Sequence, residues 1–176
     1  IVIEREFKCP MAHQGYIEPH ACVANIDETG RGTVWCSTQG HFEFRSATAK
    51  MLNKNIADLK FVATEIGGGF GGKTVVYLEP LATMLSEKTG RPVKMTLSRE
   101  EGFRATGPAS GTVARVKVGL KNDGTITAAQ SWIAFEAGAF AGAPYMPGAM
   151  TIYAPYKLEN FLVETFDVLV NKPKVA

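Results

Sequence analysis

The sequence predicts an α+β fold, a mixed sheet with antiparallel hairpins and two main helices. Three observations lead there. Stretches of period-two alternation outnumber those of helical period. Two turns carry hairpin chemistry, Asp27-Glu28-Thr29-Gly30-Arg31-Gly32 and Asn122-Asp123-Gly124. A strand, glycine loop and helix stand between them, and antiparallel hairpins on either side mean that the chain is not a plain run of βαβ crossovers.

In chain order, residues 1–8 alternate apolar and charged side chains and read as a strand. Residues 21–26 and 33–37 form two strands around the first turn. Residues 40–52 carry Phe44, Ala47, Met51 and Leu52 at helical spacing, with Asn53 as the stop. The β-branched residues Val62, Thr64 and Ile66 mark a strand over 59–66. A helix follows over 75–88, or from nearer Leu78 because Pro80 lies deep for a helix start; Gly90 ends it. Residues 93–97 are a strand, and Ser98-Arg99-Glu100-Glu101 has the form of a capping box. Residues 112–120 and 125–135 pair across the second turn. A Gly/Ala/Pro-rich loop is expected over 137–155, either a lid or a subunit contact, and a last strand over 158–170.

Composition excludes several classes. Of the 176 residues 45% are hydrophobic and 20% charged, which rules out disorder. Nineteen Lys+Arg against seventeen Asp+Glu leave +2, too balanced for a nucleic-acid arm. Cys9, Cys22 and Cys36 are odd in number, contain no C-x-x-C pair and suit reduced thiols in a cytoplasmic protein. The uncharged stretch 137–156 is broken by Gly138, Gly142, Gly148, Pro144, Pro147 and Pro155, so no membrane helix is expected. The chain opens and closes on strand-like segments, which leads us to expect a piece of a longer polypeptide or one chain of a multi-chain enzyme.

The stretch Gly67-Gly68-Gly69-Phe70-Gly71-Gly72 is built for close backbone approach to an anion. With Lys73 and Thr74 it satisfies G-x-x-x-x-G-K-[ST] after a strand and before a helix. On a nucleotide reading Lys73 reaches the phosphates, Thr74 holds Mg²⁺, and the strand over 161–167, with its interior Glu164 as a flaw, supplies Asp167. The later hairpin and the sixty or so residues ahead of the loop count against that reading. A purely structural glycine turn is a third possibility.

Four ordered motifs then point elsewhere. Tyr16-Ile17-Glu18-Pro19-His20-Ala21-Cys22-Val23-Ala24, Ser37-Thr38-Gln39, the glycine loop through Lys73, and Thr89-Gly90-Arg91-Pro92-Val93-Lys94 with Ser98-Arg99-Glu100-Glu101 resemble the molybdenum hydroxylases. These are the large subunits of the xanthine dehydrogenase, aldehyde oxidase and carbon monoxide dehydrogenase family. Asn171-Lys172-Pro173 is similar to the approach to the family's next active-site loop, and the likeness covers nearly all of 1–176 as a single segment of the molybdopterin-binding domain.

The resemblance implies roles residue by residue. Gln39 matches the glutamine whose amide hydrogen-bonds an oxygen ligand of molybdenum. Gly69 and Gly71 match backbone that closes around the pyranopterin, with Gly68 and Phe70 completing the cofactor-binding set; Phe70 also faces substrate. Lys73 matches a lysine common after the loop and receives no chemical role. Thr74 stands where purine-oxidising members carry a glutamate that binds the ring, so a purine is not expected as substrate. The general-base glutamate is expected outside this chain, which therefore carries no catalytic residue, no direct metal ligand and no activity alone.

The implied reaction is hydroxylation of an aldehyde, an N-heterocycle or a related carbon with oxygen from water. The implied cofactor is molybdenum on a molybdopterin, as mono- or dinucleotide. Electrons leave through Fe-S clusters and FAD on partner domains or subunits. The implied partners are the remainder of the large subunit, the iron–sulfur and flavin subunits and a small-molecule substrate, without nucleic acid or membrane. A P-loop nucleotide-binding protein using 67–74 and a non-catalytic assembly segment remain the alternatives.

Other candidates have plainer readings. Glu18 and His20 flank Pro19 and suit a fixed turn. His13 and His41 lack a companion at zinc-ligand spacing. Cys22 and Cys36, in apolar strands, read as buried inert thiols. Arg91, Lys94, Arg99 and Arg104 read as a solvated face.

Overall fold

The computed structural model describes residues 1–176. The chain divides into two compact units, one made of Ile1–Ala12 with Pro108–Val175 and the other of His13–Gly107.

The second unit carries the glycine loop. Strands β2 (Ala21–Ile26) and β3 (Gly32–Cys36) form the first hairpin, with Val23 opposite Trp35. Asp27 closes the turn by accepting the N–H groups of Thr29 and Arg31 through one carboxylate oxygen, with Gly30 at φ 82°. A parallel strand needs a crossover after β3. Helix α1 (His41–Met51) supplies it and delivers β4 (Leu59–Ala63) beside β3. Helix α2 (Glu79–Thr89) then returns the chain to β5 (Val93–Thr96), antiparallel to β2, which gives the sheet order β4-β3-β2-β5.

Alternation sets the buried face: Cys22, Ala24, Ile26, Val34, Cys36, Leu59 and Phe61 point one way and pack with Phe44, Ala49, Leu78 and Ala82 of the helical layer. Each fully buried large side chain among them contributes about 1.5–3 kcal/mol. Helix α1 buries Phe44, Thr48 and Ala49, one residue round from the expected stripe, and leaves Met51 exposed. Asn53 is left-handed at φ 51°, the stop its side chain tolerates. Pro80 lies in the first turn of α2, where its missing N–H would have had no helical partner, and Gly90 ends the helix at φ 62°. The short helix α3 (Arg99–Ala105) opens on the expected capping box, with Ser98 Oγ accepting from Glu101 N and Ser98 N donating to the Glu101 carboxylate.

The other unit is a sheet of order β1-β6-β7-β8, from β1 (Val2–Cys9), β6 (Thr112–Leu120), β7 (Ile126–Gly138) and β8 (Phe161–Leu169). The hairpin β6–β7 turns at Gly124, φ 87°, and β8 runs parallel to β7. The strand expected over 59–66 ends at Ala63, leaving Thr64 and Ile66 outside it. The segment 137–155 is not all loop, because β7 continues to Gly138 and a helix α4 (Tyr145–Thr151) follows. Pro147 falls in the first turn of α4, where proline costs no hydrogen bond. Gly148 lets the helix lie on β7, since a Cβ there would stand 2.4 Å from Phe135 Cζ. No helix of the chain is long and apolar enough to cross a membrane.

Candidate cofactor-binding site

The site lies wholly in the second unit, where the stretch between β4 and α2 meets the turn before α1. Residues Gly69 to Gly72 form a tight turn, with Gly72 N donating to Gly69 O at 2.7 Å. Its central residues Phe70 and Gly71 both have positive φ, 50° and 90°. A glycine accepts that conformation freely; Phe70 holds it at a cost of about 1–2 kcal/mol. The residue is 73% exposed.

Gln39 is bound to this turn on both edges. Its Oε1 accepts the N–H of Gly71 at 3.0 Å and of Lys73 at 3.2 Å, while its own N–H donates to Lys73 O at 2.9 Å. Two backbone donors on one atom identify that atom as the oxygen. The Gln39 Nε2 group makes no hydrogen bond within the chain and stands exposed as a pure donor. The N–H groups of Gly68, Gly69 and Phe70 also find no partner within the chain. The loop therefore presents donors and no acceptor side chain.

The glycines are required by contact as well as by conformation. A Cβ on Gly69 would lie 2.5 Å from Gln39 Oε1, and one on Gly72 would lie 2.6 Å from Tyr16 Cε1. At Gly71 the corresponding space is open.

Beneath the loop runs a polar layer that the sequence did not bring together. The Lys73 side chain is fully buried, and its Nζ donates to Glu18 Oε2 at 2.5 Å, above the Tyr16 ring at 5.2 Å. Glu18 also accepts the Gly67 N–H at 2.9 Å. Burial pushes the Glu18 carboxyl up, yet the Lys73 bond, the Gly67 N–H and the Lys73 charge together hold it below its ordinary range.

His13 Nδ1 accepts from Gly15 N, so Nε2 carries the proton given to Thr106 Oγ1 at 2.9 Å. Thr106 passes its own proton to Gly102 O, leaving a lone pair for the Tyr16 hydroxyl at 3.2 Å. Tyr16 can then accept from His20 Nε2 at 2.8 Å. His20 Nδ1 is left as a bare buried acceptor. Burial first, then the Lys73 charge, brings the His20 pKa down to about 4, so its ring is neutral.

This arrangement overturns the nucleotide reading. Lys73 points into the protein and its ammonium is spent on Glu18. Thr74 Oγ1 donates to Gly71 O at 2.8 Å, and α2 begins only at Glu79. Asp167 belongs to the other unit, where it accepts the N–H groups of Gly142 and Ala143. Gln39, Gly68, Gly69, Phe70 and Gly71, by contrast, form one surface, with Thr74 at its edge. The Glu18–Lys73 pair went unrecognised in the sequence because nothing in its spacing signals contact.

The remaining candidates are structural. Cys22 and Cys36 face each other across the hairpin as free buried thiols, pushed up to about 12 by burial. His41 packs against Phe42. Arg99 gives a guanidinium proton to Ile17 O, while Arg91, Lys94 and Arg104 are exposed.

Residues 1–176 match the family model described as the molybdopterin cofactor-binding domain. The chain belongs to that family, the one of the xanthine dehydrogenase, aldehyde oxidase and CO dehydrogenase large subunits. Among curated relatives of this molybdopterin-binding segment, it is 31% identical over 178 residues to the nicotinate dehydrogenase large molybdopterin subunit of Eubacterium barkeri, covering 98% of this chain and 41% of that one. The aldehyde oxidoreductase of Desulfovibrio gigas superposes with a TM-score of 0.83 at 26% identity over 99% of this chain and 20% of that one. The CO dehydrogenase of Oligotropha carboxidovorans gives 0.79 at 26%, over 100% of this chain and 23% of that one. The segment thus spans less than half the length of each.

Proposed function

We propose that this chain is the part of a molybdenum hydroxylase that grips the molybdopterin and shapes one wall of the substrate pocket. The observation that carries the reading is the fixed amide of Gln39, whose oxygen is consumed by Gly71 and Lys73 and whose NH₂ is turned outward. A pyranopterin dithiolene with its phosphate is anionic and rich in acceptors, and the surface built by Gln39, Gly68, Gly69 and Phe70 offers it the Gln39 NH₂ and backbone N–H groups that have no partner within the chain. The residues fit that group.

When bound, the molybdenum cofactor supplies the two-electron redox chemistry. The overall reaction converts a C–H bond and one water into C–OH, two protons and two electrons, the electrons leaving to Fe-S and flavin centres on partner domains or subunits. The share of this chain is positioning. Gln39 orients an acceptor without adding charge, and the unbonded N–H groups of 68–70 hold the anion. Phe70 presents an exposed aromatic face suited to flat substrates such as N-heterocycles and aryl aldehydes. Thr74 is short, uncharged and tied to Gly71, which argues against a purine. The carboxylate that touches the loop, Glu18, is committed to Lys73 and to the Gly67 N–H, so the general base is assigned to another part of the protein and this chain to one segment of a larger subunit. The three free thiols support a cytoplasmic location.

The test is elemental and pterin analysis of the complex that purifies with this chain from its source. Near one molybdenum per chain is expected, with turnover on aldehydes or N-heterocycles. An intact complex without molybdenum overturns the reading. Gln39→Ala should alter the molybdenum spectrum; an assembly segment would tolerate it unchanged.

A further inference from the structure

The Glu18–Lys73 pair has no role in the chemistry above, yet it touches both ends of the glycine loop. Glu18 N donates to Gly67 O at 3.2 Å and the Glu18 carboxylate accepts the Gly67 N–H at 2.9 Å, which ties down the entrance. The same carboxylate oxygen takes Lys73 Nζ at 2.5 Å, which ties down the exit. Pro19 follows Glu18 directly and restricts the backbone that carries it. Lys73 is also the residue whose N–H and C=O hold the two edges of Gln39. Lys73 thus links the half-buried carboxylate of Glu18, through its side chain, to the amide of Gln39, through its main chain.

From this connectivity we infer that Glu18 and Lys73 are positioning residues: a charged clamp that closes the loop at 67 and 73 and thereby sets where the Gln39 NH₂ points. The inference rests on the molybdopterin reading of the site. Its physical basis is the depth of the pair. The Lys73 side chain is 0% exposed and that of Glu18 32%. A paired ammonium in that setting has one stable position, and it drags the main chain of residue 73 with it. The asymmetry also ranks the damage. Removing the Glu18 charge strands a buried ammonium, whereas removing the Lys73 charge leaves a carboxylate that water can reach. Glu18→Gln should therefore be the harsher single change. The clamp further explains why a lysine follows the loop although its ammonium never meets the ligand. The anion is met by N–H groups alone, and the lysine serves from behind.

The test uses the full-length protein with its native partner subunits. In cofactor-free protein, Lys73→Met should speed hydrogen exchange of the 67–74 backbone at least tenfold, at Gly71 and Lys73 above all. In cofactor-loaded protein it should change the Mo(V) EPR signal in the same sense as Gln39→Ala. In Gln39→Ala/Lys73→Met the second change should add nothing to the first. Glu18→Gln/Lys73→Met removes both charges without stranding either and should repeat the Lys73→Met result, which covers a failure of the single variant to fold. Unchanged exchange, a wild-type EPR signal, or fully additive effects of Gln39 and Lys73 overturn the clamp. Absence of molybdenum from the wild-type complex overturns the site reading instead; loop exchange, measured without cofactor, separates that failure from failure of the clamp.

Discussion

Gly69 lies flat against the amide of Gln39, so close that a Cβ at 69 would stand 2.5 Å from Oε1 and 2.8 Å from Cδ. The amide cannot simply retreat, because the same Oε1 holds Gly71 and Lys73. Gly69→Ala should therefore displace the Gln39 NH₂ while leaving the sheet and helices in place. We expect molybdenum occupancy to fall on the order of tenfold, the scale at which disturbed supporting contacts weaken metal sites. Metal analysis beside circular dichroism checks this; full occupancy in a folded variant would contradict it.

Phe70 is an exposed aromatic residue held at φ 50°. Replacing it by glycine removes the left-handed penalty, so Phe70→Gly should unfold at higher denaturant, by about 1 kcal/mol. It should also raise KM for flat aromatic substrates, since the ring that would face them is gone. Paired denaturation and steady-state measurements decide. A variant that is less stable, or unchanged in KM, would count against the role given to the ring.

His20 is buried and neutral with a pKa near 4, against 6.5 for a free imidazole. Its depressed folded pKa means that its contribution to stability is complete above pH 6.5 and drains away as the pH falls toward 4. The whole effect is about 3 kcal/mol at 1.36 kcal/mol per pKa unit. His20→Gln cannot take up that proton and should flatten the stability profile between pH 6.5 and 4. Parallel acid profiles for the two proteins would refute the assignment.

Glu79 opens α2 from inside the core, 1% exposed, with Oε1 unpartnered and Oε2 accepting the Tyr77 N–H. Burial raises its pKa against the pull of the N–H groups of Glu79, Tyr77 and Leu78. The sign is opposite to that of His20. Glu79 supports the fold below pH 4.5, where it is protonated in both states, and that support is lost as the pH rises through its raised value. Glu79→Gln should gain on the wild type in melting temperature as the pH moves from 4 to 8. A constant offset between the two curves would show that the carboxyl does not titrate there.

Much of the fold was legible in the chain because its signals are local. Alternation placed Cys22, Ala24 and Ile26 on one face, and the Ser98–Glu101 box opened α3 as expected. Helix α4 was missed because Pro147 and Gly148 look like loop residues until Phe135 is beside them. For the candidate site, the resemblance singled out Gln39 and the loop, and the structure shows the two in contact.

By itself the sequence determined the strand faces, the turns, the glycine-rich approach surface and the family. The tertiary structure decided which way Lys73 points, what Thr74 is bonded to and which end of the Gln39 amide is free. Those outcomes rest on partners 55 residues apart for Glu18 and Lys73 and 32 apart for Gln39 and Gly71. A local pattern carries no record of such partners. A lysine after a glycine loop reaches outward to phosphate or inward to a carboxylate according to where folding has placed the counter-charge, and here β2 and β4 bring that charge beneath the loop.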